Sequence, residues 1–327
     1  MENKKRLTLK DIAAKAGVSL TAASMFLNGK AKKYNLADAT CERIEQTMRD
    51  NNFVPNFHAR AIASKQTMLI GVLIYGGIET SFWLNILSGI EEALAIKNYH
   101  MLFSVSHSSP ERELESIRFM CTKGVDGLII APVSGTVNNF DYLCELDKTL
   151  PVVTMNTRIE GLAAAYNDNY TGGRLASEFL IRRGHRKIAF MGGLGFNRTR
   201  AFFDVMLENH IEPAVFLNVS DFLPQSGRFT AVFCFSDYQV LELYNEAASR
   251  GIKIPENISV IGYDNMNFTS LLSPRPATVE QYKKELGIAA AEIILERING
   301  GSRLAARKFT PILHEGESVK KIYTLYG

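Results

Sequence analysis

From Met68 onward the chain alternates short apolar runs with longer amphipathic stretches, and that alternation leaves few folds open. "LIGVLIY" from Leu69 is followed by the helical pattern "FWLNILSGIEEALAIKN", then "MLFSVS", "PERELESIRFMCTKG" and "VDGLIIAP". Strand, helix, strand, helix, strand implies a parallel sheet, because consecutive parallel strands need a crossover that a helix supplies. The pattern restarts after Pro151 with "VVTMN", "NYTGGRLASEFLIRRG" and "KIAFMGG". It ends with "AVFCFS", "DYQVLELYNEAASRG", "ISVIGYDN" and "KKELGIAAAEIILERING". The predicted fold class is α/β: two doubly wound lobes with a cleft between them, ligand sites lying outside the carboxyl ends of the strands.

A length of 327 residues accommodates two such lobes and a small extra module. The longest apolar runs are strand-length, well short of the ~20 residues of a membrane span, so no membrane partner is predicted. The opening "MENKKRLTLKD" lacks the apolar core of a secretory signal. Cys41, Cys121, Cys144 and Cys234 are scattered with no CxxC pair, which predicts reduced thiols in a cytoplasmic protein and no metal site. Nor does a catalytic or cofactor motif emerge. "MGGLGFNR" has Gly193 and Gly195 after a strand, but Arg198 stands where the third glycine of GxGxxG belongs. No GxxxxGK[ST], nucleophile elbow or HExxH is present, so the chain is predicted to be neither an enzyme nor a cofactor carrier.

The first 66 residues differ in charge from the rest. They hold 12 of the 37 Lys and Arg but only 6 of the 34 Asp and Glu, giving +6 there and −3 over the remainder. Positive charge concentrated in a fifth of the chain suits a polyanion, although a solvated basic tail reads the same on charge alone. Thr8 is placed to cap a helix carrying Leu9, Ile12, Ala13 and Ala16 on one face, with Asp11 at the capping-box position. Gly17 ends that helix, Ser19 caps the next, and "LTAASMFLN" runs to the Asn28-Gly29 C-cap. A third helix, "ADATCERIEQTMRDN", completes a helix-turn-helix pattern whose second helix would enter the DNA major groove; a generic three-helix bundle has the same pattern.

"LTLKDIAAKAGVS", "LNGK" and "FVPNFHARAIASKQT", long, ordered and correctly spaced, resemble the lactose-repressor/galactose-repressor family of bacterial regulators. The resemblance implies a helix-turn-helix domain over 1–54, a hinge helix and linker over 55–67, and a periplasmic-binding-protein-like effector and dimerisation body over 68–327. The body's lobes are predicted as 68–166 plus 297–327, and 167–296. It further implies a homodimeric repressor on double-stranded, pseudo-palindromic operator DNA, controlled by a small-molecule effector, with a saccharide favoured over a purine or nucleoside. An effector-independent regulator is the rival. By the resemblance, Leu20, Thr21 and Met25 are the base-reading positions. The family usually has arginine where Met25 stands; arginine can take guanine bidentately and methionine cannot. Thr8, Ser19, Ser24, Asn28 and Lys30 are the other expected DNA contacts of the module, with Lys32 and Lys33 as phosphate neutralisers. In the hinge, Asn56, His58, Ala59 and Arg60 are expected at the DNA, and Ile62 takes the place of the family's minor-groove leucine wedge.

For the effector, the resemblance carries over Phe82 and Trp83 as ring-stacking aromatics, Arg200 with its neighbour Arg198, Phe222 on the opposite lobe, Ser236 and Asp264. Phe203 is read as standing where relatives have a glycine. Asp168, Asp237 and His185 are expected to be structural: two caps or inter-lobe bonds, and a turn stabiliser. One departure is large. After "FLPQSG" the chain enters "RFTAVFCFSD" at once, so a helix of roughly a dozen residues is missing, and one face of the second sheet is expected to be uncovered.

Overall fold

The structure, a computed structural model, describes residues 7–54, 66–77, 81–133, 135 and 138–322. The N-terminal module is all-helical: α1 Leu9–Lys15, α2 Leu20–Leu27 and α3 Asp38–Asp50. Its core is small, formed by Ile12, Ala13, Ala16, Ala23 and Ile44, all buried. Thr8 and Asp11 form the expected capping box, and the Ser19 hydroxyl accepts from the Ala22 amide at 3.1 Å. Gly17 at φ 63° supplies the left-handed turn between α1 and α2 that a side-chain-bearing residue resists.

The body contains β1 Leu69–Ile74, α4 Ser81–Ala95, β2 His100–Val105, α5 Pro110–Thr122, β3 Gly127–Ile130, α6 Phe140–Leu146, β4 Val152–Met155 and β5 Ala163–Asn167. It continues through α7 Asn169–Arg182, β6 Ile188–Met191, α8 Asn197–Glu208, β7 Ala214–Phe216, α9 Val219–Phe222, β8 Ala231–Cys234, α10 Asp237–Ser249 and β9 Ser259–Asp264. Then come β10 Ala277–Glu280, α11 Lys283–Ile298, β11 Ala306–Phe309 and β12 Ile312–His314. The strands form two six-stranded sheets, ordered β11-β5-β4-β3-β1-β2 and β12-β10-β9-β8-β6-β7. All pairings are parallel except β10 with β12. Strands sandwiched between helices are buried on both faces, which is why "GLII", "IAFM" and "AVFC" read as continuous apolar runs.

Lobe membership differs from the sequence reading. Helix α11 lies against α4 and the first sheet, its Leu286, Ala290, Ile293 and Ile294 joining Ile90, Val153 and Ala163 in one core. The crossing is close enough to require glycine on both helices: a Cβ on Gly89 would sit 2.1 Å from the Lys284 carbonyl oxygen, and one on Gly287 2.0 Å from that of Ile86. Residues 283–309 therefore belong to the first lobe, and β12 with the residues that follow it to the second. Helical periodicity marks α11's apolar stripe but not which sheet it covers. The chain passes between lobes three times, after β5, after β10 and after β11.

The second sheet is not left uncovered. Where a longer helix was expected, α9 and a 3-10 turn, Leu223–Arg228, lie over it. Val219, Phe222 and Leu223 pack with Met191, Val232 and Cys234 beneath, and Phe216, Phe222 and Phe229 cluster at centroid distances of 5.4–6.0 Å. Large rings fill the volume that a helix would have filled.

Candidate functional site

Two surfaces bring the sequence-predicted residues together. The first is the outer face of α2. With Ala23 turned into the core, Leu20, Thr21, Ser24, Met25 and Asn28 share the opposite face, as the 3.6-residue repeat requires. They line a concavity of about 410 Å³ with Lys30 and Tyr34. Asn28 is partly committed to the helix end, its amide donating to the Ser24 carbonyl at 2.8 Å. Tyr34 escaped the sequence reading; the 3-10 turn Lys32–Tyr34 brings it back alongside the helix. Thr8 and Ser19 sit at helix starts on the exposed side. The hinge positions Asn56, His58, Ala59, Arg60 and Ile62 lie outside the described residues.

The second is a cleft of about 810 Å³ between the lobes. Crossover segments build its walls: Asn167 ends β5, Asp168 and Asn169 follow it, Gln281 follows β10, and Lys308 lies on β11. Arg198, in the first turn of α8, enters from the second lobe. Its guanidinium is held between the rings of Tyr263 and Phe235, 3.9 and 4.2 Å from their centroids. It donates to the Phe235 carbonyl at 2.6 Å and to Asn169 Oδ1 at 3.1 Å, and stands 3.8 Å from the Asp264 carboxylate. Asp264 occupies φ 103°, a conformation side-chain-bearing residues rarely adopt and one that concentrates at ligand sites. Gln281 donates to its carboxylate at 2.5 Å, and Lys283 Nζ to its backbone oxygen. Burial raises the Asp264 pKa, with the Arg198 charge working against the rise. Burial lowers that of Lys283, with Asp264 opposing.

Asp237 is structural, as expected. Fully buried, it accepts from the Met266 amide and the Thr278 hydroxyl, both at 2.8 Å. Burial and the nearby Asp264 push its pKa up to about 7. Asp168 caps α7, and His185 bridges Thr230 and the Lys320 carbonyl, fixing a turn.

Three effector expectations are overturned. Trp83 is 4% exposed and packs edge-on against Tyr75 and Phe82 in the first-lobe core; only Phe82 of the pair reaches the cleft. Phe222 is fully buried in the covering layer described above. Arg200 points outward from α8, its side chain 71% exposed and its guanidinium 5.0 Å from the Tyr170 ring centroid. Arg198 is the cleft arginine. The α7–α8 crossing requires glycine at 173, where a Cβ would sit 2.6 Å from the Arg198 carbonyl oxygen, while Phe203 packs partly buried against the second-lobe core. Ser236 and Asp264 line the cleft.

The sequence reading missed Asn156, Asn167 and Gln281. Each directly follows or ends a strand, in "TMN", "YND" and "VEQ", and that polar residue after an apolar run was the available signal. Asn156 Oδ1, both polar atoms of the Asn167 side chain and Gln281 Oε1 are buried without a partner among the described residues. All three side chains line this one cleft. A broader groove of about 900 Å³ along α4 and α11 lacks that property, since Glu92 pairs with Lys284 and Glu292 with Arg307.

Comparison with known proteins identifies the family of the chain. The model of bacterial regulatory proteins of the lacI family matches residues 8–56. That of periplasmic binding proteins and sugar binding domain of the LacI family matches 67–201, and a periplasmic binding protein-like domain matches 177–319. The HTH-type transcriptional repressor PurR of Vibrio atlanticus is 31% identical over 311 residues, covering 89% of this chain and 92% of the relative. PurR of Klebsiella pneumoniae is 30% identical over 312 residues, with 89% and 90% covered. Among solved structures, the lac repressor dimer bound to operator and an anti-inducer superposes with a TM-score of 0.84 at 22% identity, over 97% of this chain and all of that one. A ribose-bound LacI-family regulator from Enterococcus faecium gives 0.67 at 25% identity, over 78% of this chain and all of that one. The chain belongs to the LacI family of bacterial regulatory proteins and is a DNA-binding transcriptional repressor.

Proposed function

We propose that the chain acts in the cytoplasm as a homodimer on a pseudo-palindromic operator, and that a neutral saccharide held between the lobes sets its operator affinity. One observation carries the effector reading: the unpaired buried atoms of Asn156, Asn167 and Gln281 converge on the cleft beside Asp264. An unpartnered buried polar atom costs about 1–3 kcal/mol, so a cleft holding four of them is built to be filled. Three are acceptor oxygens and one is a donor, and the Asp264 carboxylate adds acceptor capacity. Hydroxyl groups donate and accept at each position, which suits this set. A phosphate, all acceptor, would meet these three oxygens and a carboxylate, and its charge would have to be matched by Arg158, Arg198 and Lys308 elsewhere in the lining. Phe82 and Phe196 at the cleft offer apolar faces for the ring carbons of a sugar.

Binding between the lobes favours one lobe orientation, and a differential of ~1–3 kcal/mol would alter operator affinity about 5–150-fold. The dimer reading is supported by the operator-bound lac repressor dimer, whose fold this chain shares, and two-fold symmetry on DNA implies a palindromic site. A purine effector is the second reading, favoured by the name shared by the PurR relatives. Thermal unfolding with neutral sugars, sugar phosphates and purines separates the two. A sugar at 100-fold its Kd is expected to add ~2.7 kcal/mol. Stabilisation by purines alone would transfer the assignment to them, and none across all three sets would leave an effector-independent repressor.

A further inference from the structure

We infer that the concavity beside α2 reads thymine through its C5-methyl group, and that Tyr34 is a specificity-determining residue of this readout together with Leu20 and Met25. The inference rests on operator binding by the chain but not on the identity of its effector.

Among the polar residues of this surface, Leu20, Met25 and Tyr34 stand out as large apolar or aromatic side chains at a base-reading face. Leu20, at the first position of α2, is 50% exposed, and Tyr34 is 50% exposed on the facing turn. A helix of the core would have turned such side chains inward; here Ala23 faces the core and the larger residues face out. Two left-handed residues, Gly29 at φ 66° and Asn35 at φ 50°, bracket the Lys32–Tyr34 turn, and the Tyr34 amide donates to the Lys30 carbonyl at 3.2 Å. That geometry fixes the phenol ring on the same concavity as Met25 while leaving Lys32 and Lys33 exposed for phosphates.

The chemistry selects the base. Guanine in the major groove presents two acceptors, O6 and N7, which call for a bidentate donor. No arginine lines the concavity; its one cation, Lys30, stands beyond the end of α2, and Leu20 and Met25 on the helix itself offer no donor to O6 or N7. Thymine presents a single acceptor and a C5-methyl group, which the other three bases lack in the major groove. The leucine, the methionine and the aromatic ring give this otherwise polar concavity an apolar corner that matches that group. The Thr21 and Ser24 hydroxyls, on the same face, can serve the adjacent base edges.

The test uses the full-length wild-type chain and duplexes selected from a random pool. In the selected site, each thymine is replaced in turn by deoxyuracil, which removes the methyl and nothing else, and affinity is read by fluorescence anisotropy. At one or more half-site positions uracil is expected to weaken binding about three- to fivefold, the value of one buried methyl-sized group. Tyr34→Ala and Met25→Ala are expected to abolish that difference, binding both duplexes equally, while Tyr34→Phe retains it. Equal wild-type affinity for every thymine and uracil pair would overturn the inference while leaving operator binding intact. If Tyr34→Ala keeps the full methyl dependence, or Tyr34→Phe loses it, Tyr34 does not read through its ring.

Discussion

Arg198 and Arg200 stand two positions apart and take opposite roles, because two residues rotate a side chain about 200° around a helix. The first is clamped between two rings with its donors satisfied; the second lies in solvent over Tyr170. Arg198→Lys keeps the charge but loses the planar fork, and is expected to cost about 1.5–3 kcal/mol of stability, in the range of hydrogen bonds from charged groups. It should also weaken the effector's thermal stabilisation. Arg200→Ala should change stability by less than ~0.5 kcal/mol, as a surface substitution does, and leave ligand response unaltered. Urea unfolding with and without ligand checks both; an Arg200 variant that loses ligand response would reverse the assignment. The motif "NRTRAFF" identifies a cleft arginine in the sequence but leaves two choices. Only the helix phase, which carries Arg198 into the cleft and Arg200 into solvent, separates them.

At the scale of elements, the shortened segment between β7 and β8 shows how packing reassigns a residue. Phe222 lies in a stretch that resembles a ligand-contacting loop, yet the absence of a longer helix draws its ring into the sheet face. Phe222→Ala is expected to destabilise the protein by about 3–5 kcal/mol, the range for emptying a buried aromatic site, while a correctly folded fraction keeps its effector affinity. Denaturant titration gives the first quantity and calorimetry the second. A near-neutral stability effect with lost ligand binding would return Phe222 to the cleft. The strands and helices themselves were legible because buried parallel strands and amphipathic helices have distinct periods. The cover of the second sheet was not, since three aromatics distributed over positions 216–229 have no period.

For the whole molecule, the three inter-lobe crossings place the cleft's polar side chains on the segments that any lobe rotation would bend. The Ser81 amide, at the start of α4, donates across the cleft to the Tyr238 hydroxyl at 3.1 Å, a contact between lobes. Sedimentation at micromolar concentration is expected to show a species of about twice the 36.4 kDa chain mass. A monomer there that also binds the selected operator with full affinity would remove the dimer from the proposal. By itself the sequence determined the helix-turn-helix module, the alternating body and the family. Caps, hydrophobic period and motif spacing are local, and each is complete within a few tens of residues. Tertiary structure alone decided that α11 crosses back to the first sheet, that Phe222 and Trp83 are core, and that Asn156, Asn167 and Gln281 converge with unpaired atoms on one cleft. Those outcomes depend on which surfaces meet between separate elements, from a few tens to about two hundred residues apart in the chain, and local periodicity carries no information about that meeting.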